Sequence, residues 1–135
     1  GLGDVYKRQE LNHRLDLDLT DAFCGFKAYQ AEALAKLDIT ENGYAMPLEL
    51  WVQASSLNLV VKELPVPRIY LDEKRSFGGV LDDGATRLEY YHLTVDRSLA
   101  RIAAAGWRVP CGSGLATAAM GIEAPPVPPA CPSSK

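Results

Sequence analysis

An acid and a cation six positions apart, Asp21 and Lys27, frame the stretch Asp-Ala-Phe-Cys-Gly-Phe-Lys-Ala-Tyr. A carboxylate in such a pair orients a hydroxyl or takes its proton, and an ammonium holds an anionic group such as a phosphate. Between them Gly25 allows a bend or close approach that a Cβ would hinder. On a strand, Phe26, Ala28 and Tyr29 give the sides to bury while Lys27 points the other way, so Asp21 and Lys27 can meet at one rim. The same residues also read as a plain strand edge carrying solvated charges.

Three further places carry chemistry. Glu49 is an acid on an otherwise apolar helix; it serves either the helix dipole, worth about 0.3–1 kcal/mol, or a bound substrate. Arg68, Tyr70 and Asp72 share one face of a strand whose other face holds Ile69 and Leu71. The loop Asp72-Glu73-Lys74-Arg75-Ser76-Phe77-Gly78-Gly79 brings a guanidinium, an ammonium, a hydroxyl and exposed N–H groups together, which suits phosphate. Read alone, that loop is also an ordinary solvated turn.

The elements that must position these groups follow from pattern. Residues 8–15 form a short helix with Leu11 and Leu15 at i,i+4. A second helix covers residues 30–37, followed by a loop at 38–43 rich in turn formers. Pro47 opens a third helix, on which Leu48, Leu50, Trp51, Val52, Ala54 and Leu57 leave only Glu49, Gln53 and Ser56 as a polar stripe. A helix apolar on nearly every side is buried. Residues 59–64 are β-rich, and Pro65 and Pro67 put that strand at an edge. A long helix runs over residues 83–105, with a seam at Leu88, Tyr91, Val95, Leu99 and Ile102 and Gly106 at its end. Arg87, Arg97 and Arg101 are its wet face or a membrane-docking surface, and His92 is structural or exposed.

The chain has 135 residues, enough for one domain with a real core. It is 47% hydrophobic and 23% charged with net charge −3, and that weak acidity argues against a nucleic-acid partner. Three cysteines without C-x-x-C spacing indicate neither a zinc site nor a disulfide framework, and a reduced cytoplasmic setting fits best. No run approaches the ~20 apolar residues of a membrane-spanning helix. Residues 1–10 read as a non-native leader, 11–106 as the domain, and 107–135 as an unpacked, disordered tail.

The motif Asp-x-x-x-Gly-Phe-Lys-x-Tyr, then a short helix, then Gly-Tyr and an acid-bearing apolar helix, resembles the family 2 glycosyltransferases. The similarity is to their dolichyl- or polyprenyl-phosphate sugar synthase branch, runs from about Leu11 to about Leu99, and covers only the C-terminal portion of such an enzyme. It implies an α/β fold: the acceptor-side part of a GT-A nucleotide-diphospho-sugar transferase, with a mixed sheet, packed helices and one long C-terminal helix. It implies sugar transfer from a nucleotide-sugar donor to an acceptor, with polyprenyl phosphate the candidate, at the cytoplasmic side and in peripheral contact with a membrane. Asp21 and Glu49 would be catalytic; Lys27, Arg68, Tyr70, Arg75 and Ser76 would bind substrate and phosphate.

A divalent metal, Mg or Mn, is expected for the full-length enzyme, with its ligands outside this segment. Asp16-Leu17-Asp18 has the spelling of the family's metal motif but not its place, and reads instead as a helix end. Relatives carry Asp-Arg-x-x-Gly-x-Ser-Lys after the paired prolines; here Glu73 replaces the arginine and Gly78-Gly79 the Ser-Lys. The alternative to an enzyme is a small, non-catalytic α/β binding or interaction module.

Overall fold

The computed structural model describes residues 2–67, 69 and 79–113. Four α-helices carry the fold: α1 (Leu2–Leu15), α2 (Ala31–Leu34), α3 (Met46–Ser56) and α4 (Gly84–Ala104), with 3₁₀ turns at Gly79–Asp82 and Cys111–Ser113. Helix α3 is the hub, packed against α4 and α1, and every residue from Leu48 to Ser56 is buried. The nearly all-apolar surface of this segment dictates that burial, because fully burying a Leu or Val side chain contributes about 1.5–3 kcal/mol. Leu11 and Leu15 of α1, Leu48, Trp51 and Val52 of α3, and Tyr91, Val95, Leu99 and Ile102 of α4 close one core.

Helix ends follow local rules. Asp83 caps α4: its carboxylate accepts from the Thr86 backbone N–H at 2.8 Å and from the Thr86 hydroxyl at 2.6 Å. Helices α1, α3 and α4 all stop in the same way. Asp16, Asn58 and Gly106 take positive φ (53°, 53° and 79°), and the next residue's N–H reaches back five positions, from Leu17 to Asn12, Leu59 to Ala54 and Trp107 to Ile102. Such left-handed terminators satisfy carbonyls that the helix leaves unpaired. Asp16 therefore ends a helix, as its sequence context suggests.

The expected α/β architecture is not what forms. Among the described residues there is no strand and no sheet. The strand expected within residues 21–29 and the β-rich residues 59–64 run without a ladder, and the side chains meant for a sheet core face outward: Phe26 is 82% exposed, Val60 86% and Leu64 84%. Side chains do the pairing instead. Asn12 makes two 3.0 Å hydrogen bonds to the backbone of Leu19, one at its N–H and one at its carbonyl. Gln53 does the same at Asp38 at 2.7 Å, and the Glu63 carboxylate accepts from the Thr20 N–H with both oxygens at 3.0 Å. An amide side chain offers the donor–acceptor pair of a neighbouring strand, so these backbone groups are satisfied without one.

Other differences are smaller. The helix expected over residues 30–37 shortens to α2 and continues as tighter turns through Leu37. The first helix extends back to Leu2; from it Arg8 donates to the Thr20 carbonyl, and Lys7 lies 5.3 Å over the Tyr91 ring. Cys111 is disulfide-bonded, whereas Cys24 is a free thiol. No described helix is long and apolar enough to cross a membrane.

Candidate functional site

Trp51 sits in the buried middle of α3 and anchors the segment that precedes it in space. Its indole N–H donates to the Ala22 carbonyl at 2.8 Å, fixing the chain beside Asp21. Above the ring, 5.5 Å from its centroid, lies the ammonium of Lys27, which also donates to the Cys24 carbonyl. Burial lowers the Lys27 pKa below the usual lysine value of 10.5, while the charges of Cys24 and Asp21 oppose that fall. Asp21 itself is exposed and holds its turn by accepting from the Phe23 N–H at 2.9 Å. Asp21 and Lys27 thus occupy one rim, with Trp51 as its floor. A desolvated cation beside an exposed carboxylate can bind an anion and orient an adjacent hydroxyl.

Glu49 belongs to a different arrangement. It is 2% exposed, and both carboxylate oxygens are occupied. Oε2 accepts from the N–H groups of Thr40 (2.9 Å) and Glu41 (2.6 Å); Oε1 accepts from the Thr40 hydroxyl and from Arg101 Nη1, each at 3.0 Å. Arg101 reaches on to the Asp38 carboxylate and donates to the Asp38 carbonyl at 2.7 Å. Glu49 and Trp51 are two residues apart, about 200° round the helix, so they serve opposite sides of α3. The geometry therefore joins Asp21 with Lys27 and separates Glu49 from both. Arg68, Tyr70, Arg75 and Ser76 lie outside the described residues.

The polar stripe Glu49, Gln53 and Ser56 was legible, but not its partners. Gln53 takes Asp38, Ser56 donates to the Arg108 carbonyl, and Arg101, expected on the wet face of α4, turns inward. A buried stripe of that kind must find partners, and this requirement was the available signal for Arg101. Tyr90 joins the same network through a 2.6 Å hydrogen bond to Glu41; burial first, and then that bond, raise its pKa above the usual tyrosine value of 10.0. His92 pairs with Glu10 at 3.2 Å across α1 and α4.

A shallow groove lies between those helices, floored by Leu11, Phe23, Leu48, Tyr91 and Val95. The Phe23 and Tyr91 rings stack there with centroids 4.8 Å apart. Among the described residues no group of three or more His, Cys, Asp or Glu is placed to hold a metal ion. The described residues do not fit a metal centre. Comparison with protein-family models, with curated proteins and with solved structures returns no match for this chain.

Proposed function

We propose that this chain serves glycosyl transfer, supplying the side of the site that receives the acceptor. The observation that carries this reading is the partly buried Lys27 ammonium over Trp51, which the exposed Asp21 carboxylate six positions earlier influences electrostatically. In the reaction, an acceptor oxygen attacks the anomeric carbon of a nucleotide sugar and the nucleoside diphosphate departs. Lys27 would hold the acceptor's phosphate, and Asp21 would orient the attacking oxygen or take its proton. A lipid phosphate such as polyprenyl phosphate is already largely anionic, so Asp21 need not be a strong base. No step is routed through a metal, and Arg68, Tyr70, Arg75 and Ser76 enter only as the family resemblance implies.

Glu49, with both oxygens occupied, supports the reaction in this reading by holding residues 40 and 41. Contact with a membrane surface is retained as part of the proposal.

Asp21→Asn tests the assignment in an intact polypeptide that contains this segment. Asn keeps an oxygen to accept from the Phe23 N–H, so the turn survives while the charge is lost. Sugar transfer to polyprenyl phosphate should fall by about 10²-fold, the cost of lost positioning. Unchanged turnover would remove Asp21 from the reaction.

A second reading has its own observation. Phe26, Val60, Leu64 and Ile69, 78–86% exposed, make this a helical interaction module whose apolar side chains meet a protein partner. It predicts no perturbation of the Asp21–Lys27 rim by any sugar nucleotide or lipid phosphate.

A further inference from the structure

The loop between α2 and α3 is fastened in an unusual manner. No backbone–backbone hydrogen bond involves residues 38–42 among the described residues. Its polar groups go instead to side chains projecting from α3 and α4. Gln53 takes both backbone groups of Asp38, and Glu49 takes the N–H groups of Thr40 and Glu41. Arg101 spans Glu49 and Asp38, and Tyr90 donates to Glu41, whose carboxylate also accepts from the Gly43 N–H at 2.9 Å. A Cβ at Gly43 would fall 2.6 Å from the Tyr90 hydroxyl and 2.8 Å from the Glu41 carboxylate, so one of these side chains would have to shift. Leu37 and Ile39 are partly buried, but Asp38, Thr40, Asn42, Gly43 and Tyr44 are exposed, so little apolar burial holds the loop down.

We propose that residues 38–44 form a strap that opens and closes as one unit, with Arg101 as the latch joining α4 to α3 and the strap. Side-chain clasps can release without unwinding either helix, because the hydrogen bonds of α3 and α4 are internal to them. Local openings of this kind need only a fraction of the global unfolding free energy. The opened strap would uncover the Glu49 carboxylate, whose oxygens Thr40, Glu41 and Arg101 now occupy. This last consequence rests on the sugar-transfer reading; the strap does not.

Amide hydrogen exchange on the full chain, followed by NMR, tests the strap without any ligand. In the wild-type chain the amides of Asp38, Thr40 and Glu41 should share one opening free energy, below that of Val52 and Ala54 in α3. Arg101→Lys keeps the charge but loses the planar fork. It should speed exchange of all three amides by about 10- to 100-fold and leave α3 unchanged. Tyr90→Phe, which loosens the other end, should do the same to a smaller extent. Unequal opening of the three amides in the wild-type chain would overturn the strap. So would unchanged exchange in both variants, or equal acceleration of the strap and α3.

Discussion

Replacing Glu49 by Gln tests the side-chain clasp at its most buried point. The carboxylate accepts four hydrogen bonds, two at each oxygen, within a shell where it is 2% exposed. An amide must turn its NH₂ toward one of the two donor pairs. Facing the backbone N–H groups of Thr40 and Glu41, it leaves both unpaired; facing the other pair, it sets donor against the Arg101 guanidinium. The first orientation forfeits two backbone bonds. The second forfeits the Arg101 bond, since the Thr40 hydroxyl can turn to accept. The bonds that remain in either case lose a charged acceptor, each charged bond being worth about 1.5–3 kcal/mol. Arg101 is 36% exposed, which trims its share. The expected loss is therefore about 2–4 kcal/mol, or roughly 10 °C in Tm for a chain of this size.

Thermal and urea unfolding, read by helical circular dichroism and by Trp51 fluorescence, measures that loss. The surface pair Arg14–Asp96 supplies the control: Asp96 is 58% exposed, and Asp96→Asn should cost no more than about 1 kcal/mol. A Glu49→Gln chain as stable as the Asp96→Asn chain would refute the reasoning. It would also leave Glu49 to one of the two roles that the sequence allows, a partner of the helix dipole or an acid facing a substrate.

Further outcomes follow from single contacts. In an NMR titration Lys27 should lose its proton below 10.5; because the unfolded chain then binds more protons, stability should rise with pH between the folded value and 10.5, and a midpoint at or above 10.5 would count against burial of that ammonium. Asp83→Ala should lower the helix content and Tm, whereas Asp83→Ser should retain most of both. Hydrogen bonds from Thr86 hold the Asp83 carboxyl below 3.8, so its contribution should be present above 3.8 and vanish as pH falls through the lower folded value. Gly43→Ala should break the Tyr90–Glu41 bond and destabilise by about 1–2 kcal/mol; in a Tyr90→Phe background the cost should shrink, and an undiminished cost would show no coupling.

Helices and their ends were readable because their causes are local. Pro47, the apolar residues of α3, the α4 seam and Gly106 act within a turn or two of chain, and each falls where expected. Leu88 is the exception on the seam, at 36% exposed, in the first turns of α4. Strands were misread for the opposite reason. Residues 21–29 and 59–64 have strand-like composition, but a strand also needs a neighbour, and alternation cannot say whether one is present. The apolar side chains left outside at Phe26, Val60 and Leu64 record that mismatch.

At the site, alternation about Gly25 misled: Lys27 is the partly buried residue, over Trp51, while Phe26, Ala28 and Tyr29, expected to be buried, are exposed. The floor of the rim was not legible, because Trp51 lies some 30 residues away along the chain. The Glu49 network was half visible: the polar stripe announced a need for partners, while Arg101, Tyr90 and Thr40 come from elements whose packing the sequence does not spell out.

The account depends most on a phosphate-bearing acceptor settling at the Asp21–Lys27 rim. Titrating the ¹⁵N-labelled chain with a short isoprenyl phosphate, with inorganic phosphate as reference, tests this directly. The largest shifts should fall on the amides of residues 21–27 and on the Trp51 indole N–H, and Lys27→Gln should abolish them. Saturating ligand that leaves the Trp51 indole and the Lys27 amide unmoved would contradict the account.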